Sequence, residues 1–185
     1  MEIYLIRHTS PNIEKGICYG QSNIDLSTDF EKEFEVINKN LQNIEDLFFY
    51  SSPLKRCSAL AKYLSKSSFI SDKRLMEINF GDWELKNWDS INKKDFQLWV
   101  DDFVSVSCPN GESFNDLYLR SINFFEELIK KNHKKVAIIT HAGVMRSIIS
   151  YILEIPLKKS VLLKIDYGSI LKIRIINQVI EIEFF

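Results

Sequence analysis

Ile3-Tyr4-Leu5-Ile6-Arg7-His8, at the start of the chain, is a short unbroken apolar run closed by an arginine and a histidine. An apolar run of this length is read as a strand buried on both faces, as strands of parallel sheets are. The arrangement returns at Val136-Ala137-Ile138-Ile139-Thr140-His141, followed by Ala142-Gly143. In an open α/β sheet, ligands sit outside the carboxyl ends of the strands, so two histidines placed there can meet in one crevice. Arg7 offers a planar donor fork, and the small-residue helix start after His141 offers exposed backbone N–H groups. Both suit a bound anion. The expectation is a phosphate held between two histidines.

Outward from these strands the pattern alternates. Residues 2–7 read as a strand and residues 8–26, with Pro11, Gly16 and Gly20, as a long loop. Ser27 to Leu41 reads as a helix with Phe30, Phe34 and Ile37 on one stripe. Leu47 to Tyr50 is a second strand, and Ser52 and Pro53 cap and open a helix that runs to Leu64. A third strand covers Ser68 to Ser71. The aromatic and acidic stretch Leu75 to Glu84 lacks periodicity and reads as a site loop. Ser90 to Val100 is helical, Ser113 to Asp116 resembles a capping box opening a long helix, and a helix follows the 135–140 strand from about Gly143 to Leu153. Ser160 to Phe185 reads as strands around a Tyr167-Gly168-Ser169 turn. This order gives an α/β fold: a three-layer α/β/α sandwich around a mostly parallel sheet, because parallel strands need crossover helices.

The chain has 185 residues, 45% of them hydrophobic, which suits one domain over residues 1–185. Lys+Arg number 24 against Asp+Glu 25, so there is no large basic field for nucleic acid or an anionic membrane. Any anion site must be local. No apolar run approaches the ~20 residues of a membrane span, and the start is unlike a signal peptide, so a cytoplasmic location is expected. Cys18, Cys57 and Cys108 show neither a disulfide framework nor zinc spacing and are read as reduced structural thiols.

Arg56 falls in the first turn of the helix that follows the second strand, facing the same crevice, and supplies a second fork. Taken singly, His8 and His141 could be core histidines and Arg7 and Arg56 ion-pair partners. Gathered at strand carboxyl ends they read as an anion site. Arg120 and Arg146 are read as helix-face or support residues, His133 as solvated at a helix end, and Trp99 as packing. Trp83 and Trp88 suit either packing or a stacking wall.

Five segments occur in order: Leu5-Ile6-Arg7-His8-Thr9, Ser51-Ser52-Pro53-Leu54-Lys55-Arg56, Leu75 to Glu84, Gly111-Glu112-Ser113, and Thr140-His141-Ala142-Gly143-Val144-Met145-Arg146. Together they resemble the histidine phosphatase superfamily over nearly the whole chain. The Arg-His-Thr start and Cys18-Tyr19-Gly20-Gln21-Ser22 are most similar to its α-ribazole phosphatases of cobalamin assembly. The resemblance implies a phosphoglycerate mutase-like fold and a phosphomonoesterase in which His8 takes the phosphoryl group on a ring nitrogen before water removes it. That nitrogen must be neutral, and a backbone carbonyl accepting from the other would fix the tautomer. Arg7, Arg56 and His141, with Ala142 at the helix start, would bind the phosphate oxygens. A leaving alkoxide needs a proton, which a carboxyl group can donate. Glu77 matches the family's acid position, with Asp82 and Glu84 as neighbours open to confusion with it.

The resemblance implies no cofactor or metal, and as partner a small phosphorylated metabolite, with a monomer or homodimer as the assembly. The alternatives are a broad-specificity small-metabolite phosphatase, a cofactor-dependent phosphoglycerate mutase, and a non-enzymatic phosphate-recognition module. Two departures bear on substrate. Asn23 stands where the subgroup commonly has Asp. Leu85 follows Trp83-Glu84 where relatives have Gly, and since leucine does not readily take positive φ, a different loop is expected there.

Overall fold

The computed structural model describes residues 1–66, 68–177 and 179–184. Six strands form one sheet: β1 (Glu2–Arg7), β2 (Leu47–Ser51), β3 (Ile70–Ser71), β4 (Lys135–Thr140), β5 (Ile170–Ile176) and β6 (Val179–Phe184), in the order β3-β2-β4-β1-β5-β6. The first four named along that order run parallel, and β5 and β6 are antiparallel additions. Arg7 is in register with Thr140, and Ser51 with both Ile139 and Ser71. The carboxyl ends of β1, β4, β2 and β3 therefore end at one edge. Because β5 pairs antiparallel with β1, with Ile6 opposite Ile170, the start of β5 lies at that edge too.

Side chains alternate across the sheet, as a period of two requires. Ile3, Leu5, Val136, Ile138, Leu171 and Ile173 face a core closed by α4 (Phe114–Ile129) and α5 (Ala142–Leu153). Tyr4, Ile6, Ala137, Ile139 and Ile170 face the other core, under α1 (Phe30–Leu41) and α2 (Lys55–Ser65). This is the expected sandwich. The predicted stripe of α1 is present: Phe34 and Ile37 are buried, Phe30 is partly buried against them, and Leu41 extends the stripe. The capping box of α4 is formed, Ser113 Oγ accepting from Asp116 N–H and Asp116 accepting from Ser113 N–H. A third cluster holds Cys18, Trp83, Ile91 and Cys108, with Phe80, Trp88 and Trp99 packed on it beside α3 (Lys93–Asp101). All three cysteines are buried and free. Among the described residues, no helix is long and apolar enough to cross a membrane.

Several boundaries differ from the reading of the sequence. Helix α2 starts at Lys55 because Leu54 is extended, and Ser52 Oγ accepts from Leu54 N–H ahead of the helix. β3 is only two residues long. In the tail, Leu157–Ser160 forms a short helix α6 after Pro156, and the Tyr167-Gly168-Ser169 turn leads into β5 without a strand before it. Short apolar runs of this kind do not distinguish strand from packed loop. His133 lies beyond the end of α4, stacked on Phe48 at 4.3 Å, where it meets the Tyr50 hydroxyl at 3.3 Å.

The expectation that Leu85 avoids positive φ is overturned: the residue adopts φ +65, in the left-handed region that favours glycine, and its N–H reaches the Cys18 carbonyl at 2.7 Å. The chain bears the strain of a β-carbon in the left-handed region. Leu85 is 61% exposed, so its side chain contributes little packing in return. Leu85→Gly should therefore raise the free energy of unfolding by about 1 kcal/mol, while Leu85→Ala, which keeps the strain, should stay within about 0.5 kcal/mol of wild type. Urea denaturation of the three proteins checks this.

Candidate active site

His8 follows β1 directly, and its backbone N–H donates to the Thr140 carbonyl at 3.0 Å. The imidazole is almost wholly buried. Its Nδ1 lies 2.7 Å from the Thr9 carbonyl oxygen, which can only accept, so Nδ1 carries the proton and Nε2 keeps its lone pair. Arg56 Nε–H points at that lone pair from 3.3 Å. Burial first, then the charges of Arg56 and Arg7, hold the pKa of His8 well below the ordinary 6.5, against the opposing pull of the Thr9 carbonyl. His141, fully buried at the head of α5, lies edge-on to His8 with ring centroids 5.0 Å apart. Its Nε2 is 2.9 Å from Ser52 Oγ and 3.4 Å from Cys57 Sγ. Burial, then the neighbouring His8, Arg56 and Arg7, push its pKa down as well.

Arg56, in the first turn of α2, is fully buried with no carboxylate among its hydrogen-bond partners. Nη1 donates to the Ser22 carbonyl (2.9 Å) and Nη2 to the Gly20 carbonyl (2.6 Å). Arg7 is held in the same way, Nη1 donating to the Ile165 carbonyl at 2.7 Å. Its Nε is buried with no hydrogen-bond partner among the described residues. That one unmet donor, on a residue lining a cavity, is what an incoming oxyanion would satisfy. Among the described residues, no group of three or more His, Cys, Asp or Glu could hold a metal ion.

Three acidic residues lie close in sequence and do different things. Glu77 Oε1 accepts from Ile78 N–H (2.9 Å) and Oε2 from Gly143 N–H (3.2 Å) at the start of α5. Gly143 is required there, since a β-carbon would stand 2.2 Å from Glu77 Oε1. Glu84 is committed to the loop, accepting from the N–H groups of Gln21, Ser22 and Phe80 and from the Ser22 hydroxyl. Asp82 accepts from Asn110 at the surface. Asn23 accepts from the Lys55 N–H at the start of α2, a bond its amide makes without a charge.

A cavity of about 310 Å³ is lined by Arg7, His8, Arg56, Glu77 and Ala142, with Tyr19 and Gly143 beside them. The same lining includes apolar side chains: Ile78, Phe80, Trp99, Phe103, Phe114 and Val161. His141 is not among the residues that line this cavity; it meets the site through its ring contact with His8. Trp99 both packs and lines the cavity, whereas Trp83 sits in the buried cluster. Arg146 also lines it, against the reading of that residue as a support. It stands one turn beyond Ala142 and Gly143 on the same face of α5, and its guanidinium reaches the Leu163 carbonyl. That spacing was the signal available in the sequence. Ser52, too, occupies a strand-end position equivalent to those of His8 and His141. Arg120 is a support, as read: it forks onto Glu112 and ties the carbonyls of Arg74, Met76 and Glu77.

The two depressed histidines make stability depend on pH with a definite sign. Below pH 6.5 the unfolded chain takes up a proton on each imidazole while the folded protein does not. Their contribution is thus complete above 6.5 and is lost as pH falls from there toward the folded-state values, with a slope of up to about 1.4 kcal/mol per pH unit for each histidine. Urea unfolding between about pH 7 and pH 5 should show this slope, and His8→Gln should remove about half of it. An unaltered slope in the variant would mean that His8 titrates alike in the folded and unfolded chains.

The histidine phosphatase superfamily (branch 1) model matches residues 3–185. Phosphoserine phosphatase 1 of Hydrogenobacter thermophilus is 28% identical over 167 residues, which is 86% of this chain and 79% of that protein. The adenosylcobalamin/alpha-ribazole phosphatase of Escherichia coli is 23% identical over 177 residues, 91% of this chain and 87% of that one. The crystal structure of the alpha-ribazole phosphatase from Shigella flexneri superposes with a TM-score of 0.91 at 21% identity, covering 100% of this chain and 96% of that one, a likeness of fold. With a family model spanning all but its first two residues, this chain belongs to the histidine phosphatase superfamily.

Proposed function

We propose that the protein is a phosphomonoesterase working through a phosphohistidine at Nε2 of His8. The observation that carries this reading is the state of that nitrogen: the Thr9 carbonyl keeps the proton on Nδ1, and the unprotonated Nε2 accepts from Arg56 Nε–H. In the first step Nε2 bonds to phosphorus as the phosphorus–oxygen bond to the leaving group breaks, and Glu77 gives its proton to the departing oxygen. In the second step Glu77 takes a proton from water, whose oxygen displaces His8 and releases inorganic phosphate. Arg7, Arg56, His141 and the N–H of Ala142 offset charge on the phosphoryl oxygens.

For substrate we propose α-ribazole 5′-phosphate. The apolar lining of Phe80, Trp99, Phe103 and Phe114 offers rings against which a planar benzimidazole can stack. Relatives named for that substrate support the choice. One observation favours a second reading. Arg146 in the same cavity suits a small metabolite with a further anionic group, such as O-phosphoserine, and a phosphoserine phosphatase is also among the relatives.

Phosphate release from α-ribazole 5′-phosphate, O-phosphoserine, sugar phosphates and 3-phosphoglycerate separates these readings. A dominant kcat/KM for the ribazole is expected, and a dominant value for phosphoserine would select the second. His8→Ala should abolish turnover of every substrate, and persistence of hydrolysis in that variant would refute the covalent mechanism. Glu77→Gln should lower kcat/KM for the alkyl ester by roughly 10²–10⁴-fold and far less for p-nitrophenyl phosphate, whose leaving group needs no proton.

A further inference from the structure

The Tyr167-Gly168-Ser169 turn, conspicuous in the sequence and without a role in the chemistry above, is fastened to the backbone of the site. Arg7 N–H donates to the Ser169 carbonyl (3.0 Å) and Gly168 N–H to the His8 carbonyl (3.2 Å). The turn passes through Gly168 at φ +73, and Ile165, just before it, holds the Arg7 guanidinium. From this turn Tyr167 lays its ring 3.8 Å from the Arg7 guanidinium and 5.5 Å from the His8 ring. On the opposite side, Tyr19 stands over Arg56 at 5.4 Å, and the loop that carries it gives the Gly20 and Ser22 carbonyls to the same guanidinium. The two tyrosines meet hydroxyl to hydroxyl at 2.5 Å.

Each arginine is thus tied to its own loop, and the tyrosine pair joins the loops. Arg7 and Arg56 carry like charges close to His8, and neither has a carboxylate partner, so their spacing is not set by ion pairing. We propose that Tyr19 and Tyr167 form a positioning latch whose hydroxyl bond fixes the loops so that Arg7 and Arg56 straddle a phosphoryl group on His8. The latch rests on the phosphatase reading. It adds two residues that act through the arginines without taking part in bond making.

Tyr19→Phe, Tyr167→Phe and the double variant test it, since phenylalanine keeps the ring on each arginine and removes only the bond. Each single variant should lower kcat for p-nitrophenyl phosphate roughly three- to tenfold, the range of one neutral hydrogen bond, with KM little changed. Orthovanadate, which mimics the transition state, should bind more weakly in the same proportion. The double variant should be no worse than the weaker single one, because one bond is lost once. Unchanged kcat in either single variant, or a double-variant loss equal to the product of the two, overturns the latch. If one variant fails to fold, the other carries the same comparison. Wild type that releases no phosphate would sink the phosphatase reading, while calorimetric vanadate binding would still test the latch. Wild type that binds no vanadate ends both.

Discussion

The hydrogen bond from His8 N–H to the Thr140 carbonyl continues the parallel pairing of β1 with β4 one residue beyond the strands, and Ser52 N–H to the Ile139 carbonyl does the same for β2 and β4. The two bonds carry the register of the sheet into the crevice. A slip of one residue would send every side chain of a strand to the opposite face. His8 would leave the cavity, His141 would lose Ser52, and Ile3 and Leu5 would exchange cores with Tyr4 and Ile6. The apolar burial on both faces fixes the register, since alternate residues of β1 and β4 fill two separate cores. The chemistry at the strand ends inherits its precision from that packing.

The arginines divide into two kinds. Arg74 is matched to Asp72 and Glu127, and Arg120 to Glu112, so their charge is met within the protein. Arg7, Arg56 and Arg146 are held by backbone carbonyls. A carbonyl dipole orients a guanidinium without cancelling its charge, whereas a carboxylate would compete with an incoming anion. The same uncancelled charge, added to burial, keeps both histidines neutral. Positive field and free imidazole lone pair are therefore two results of one arrangement.

Legibility followed from how local each signal was. Strand ends, the α4 capping box and the α1 stripe are written in runs of adjacent residues, and His8, Arg56 and His141 were found by their positions after those runs. Glu77 could be separated from Glu84 only by resemblance, because the difference between them lies in which backbone N–H groups reach them. Tyr19 and Tyr167, 148 positions apart, meet only because β5 returns antiparallel beside β1. Arg146 was legible in principle from helical spacing. Leu85 shows the opposite case, in which tertiary contacts override a sound local rule: its N–H bond to Cys18 is part of the loop that the site needs.

That loop explains why the strain at Leu85 is tolerated. Glu84 gathers the N–H groups of Gln21 and Ser22 and thereby fixes a segment whose carbonyls point at Arg56. Leu85 fastens the same segment from one residue further on, through Cys18. A carboxylate placed directly on Arg56 would have neutralised it. With a stretch of backbone interposed, negative charge on Glu84 holds the loop while the guanidinium remains free to meet an anion. Glu77, with two backbone N–H partners, stays on the cavity wall beside His8. Two glutamates seven positions apart are thus kept in different roles by the backbone N–H groups that reach each of them.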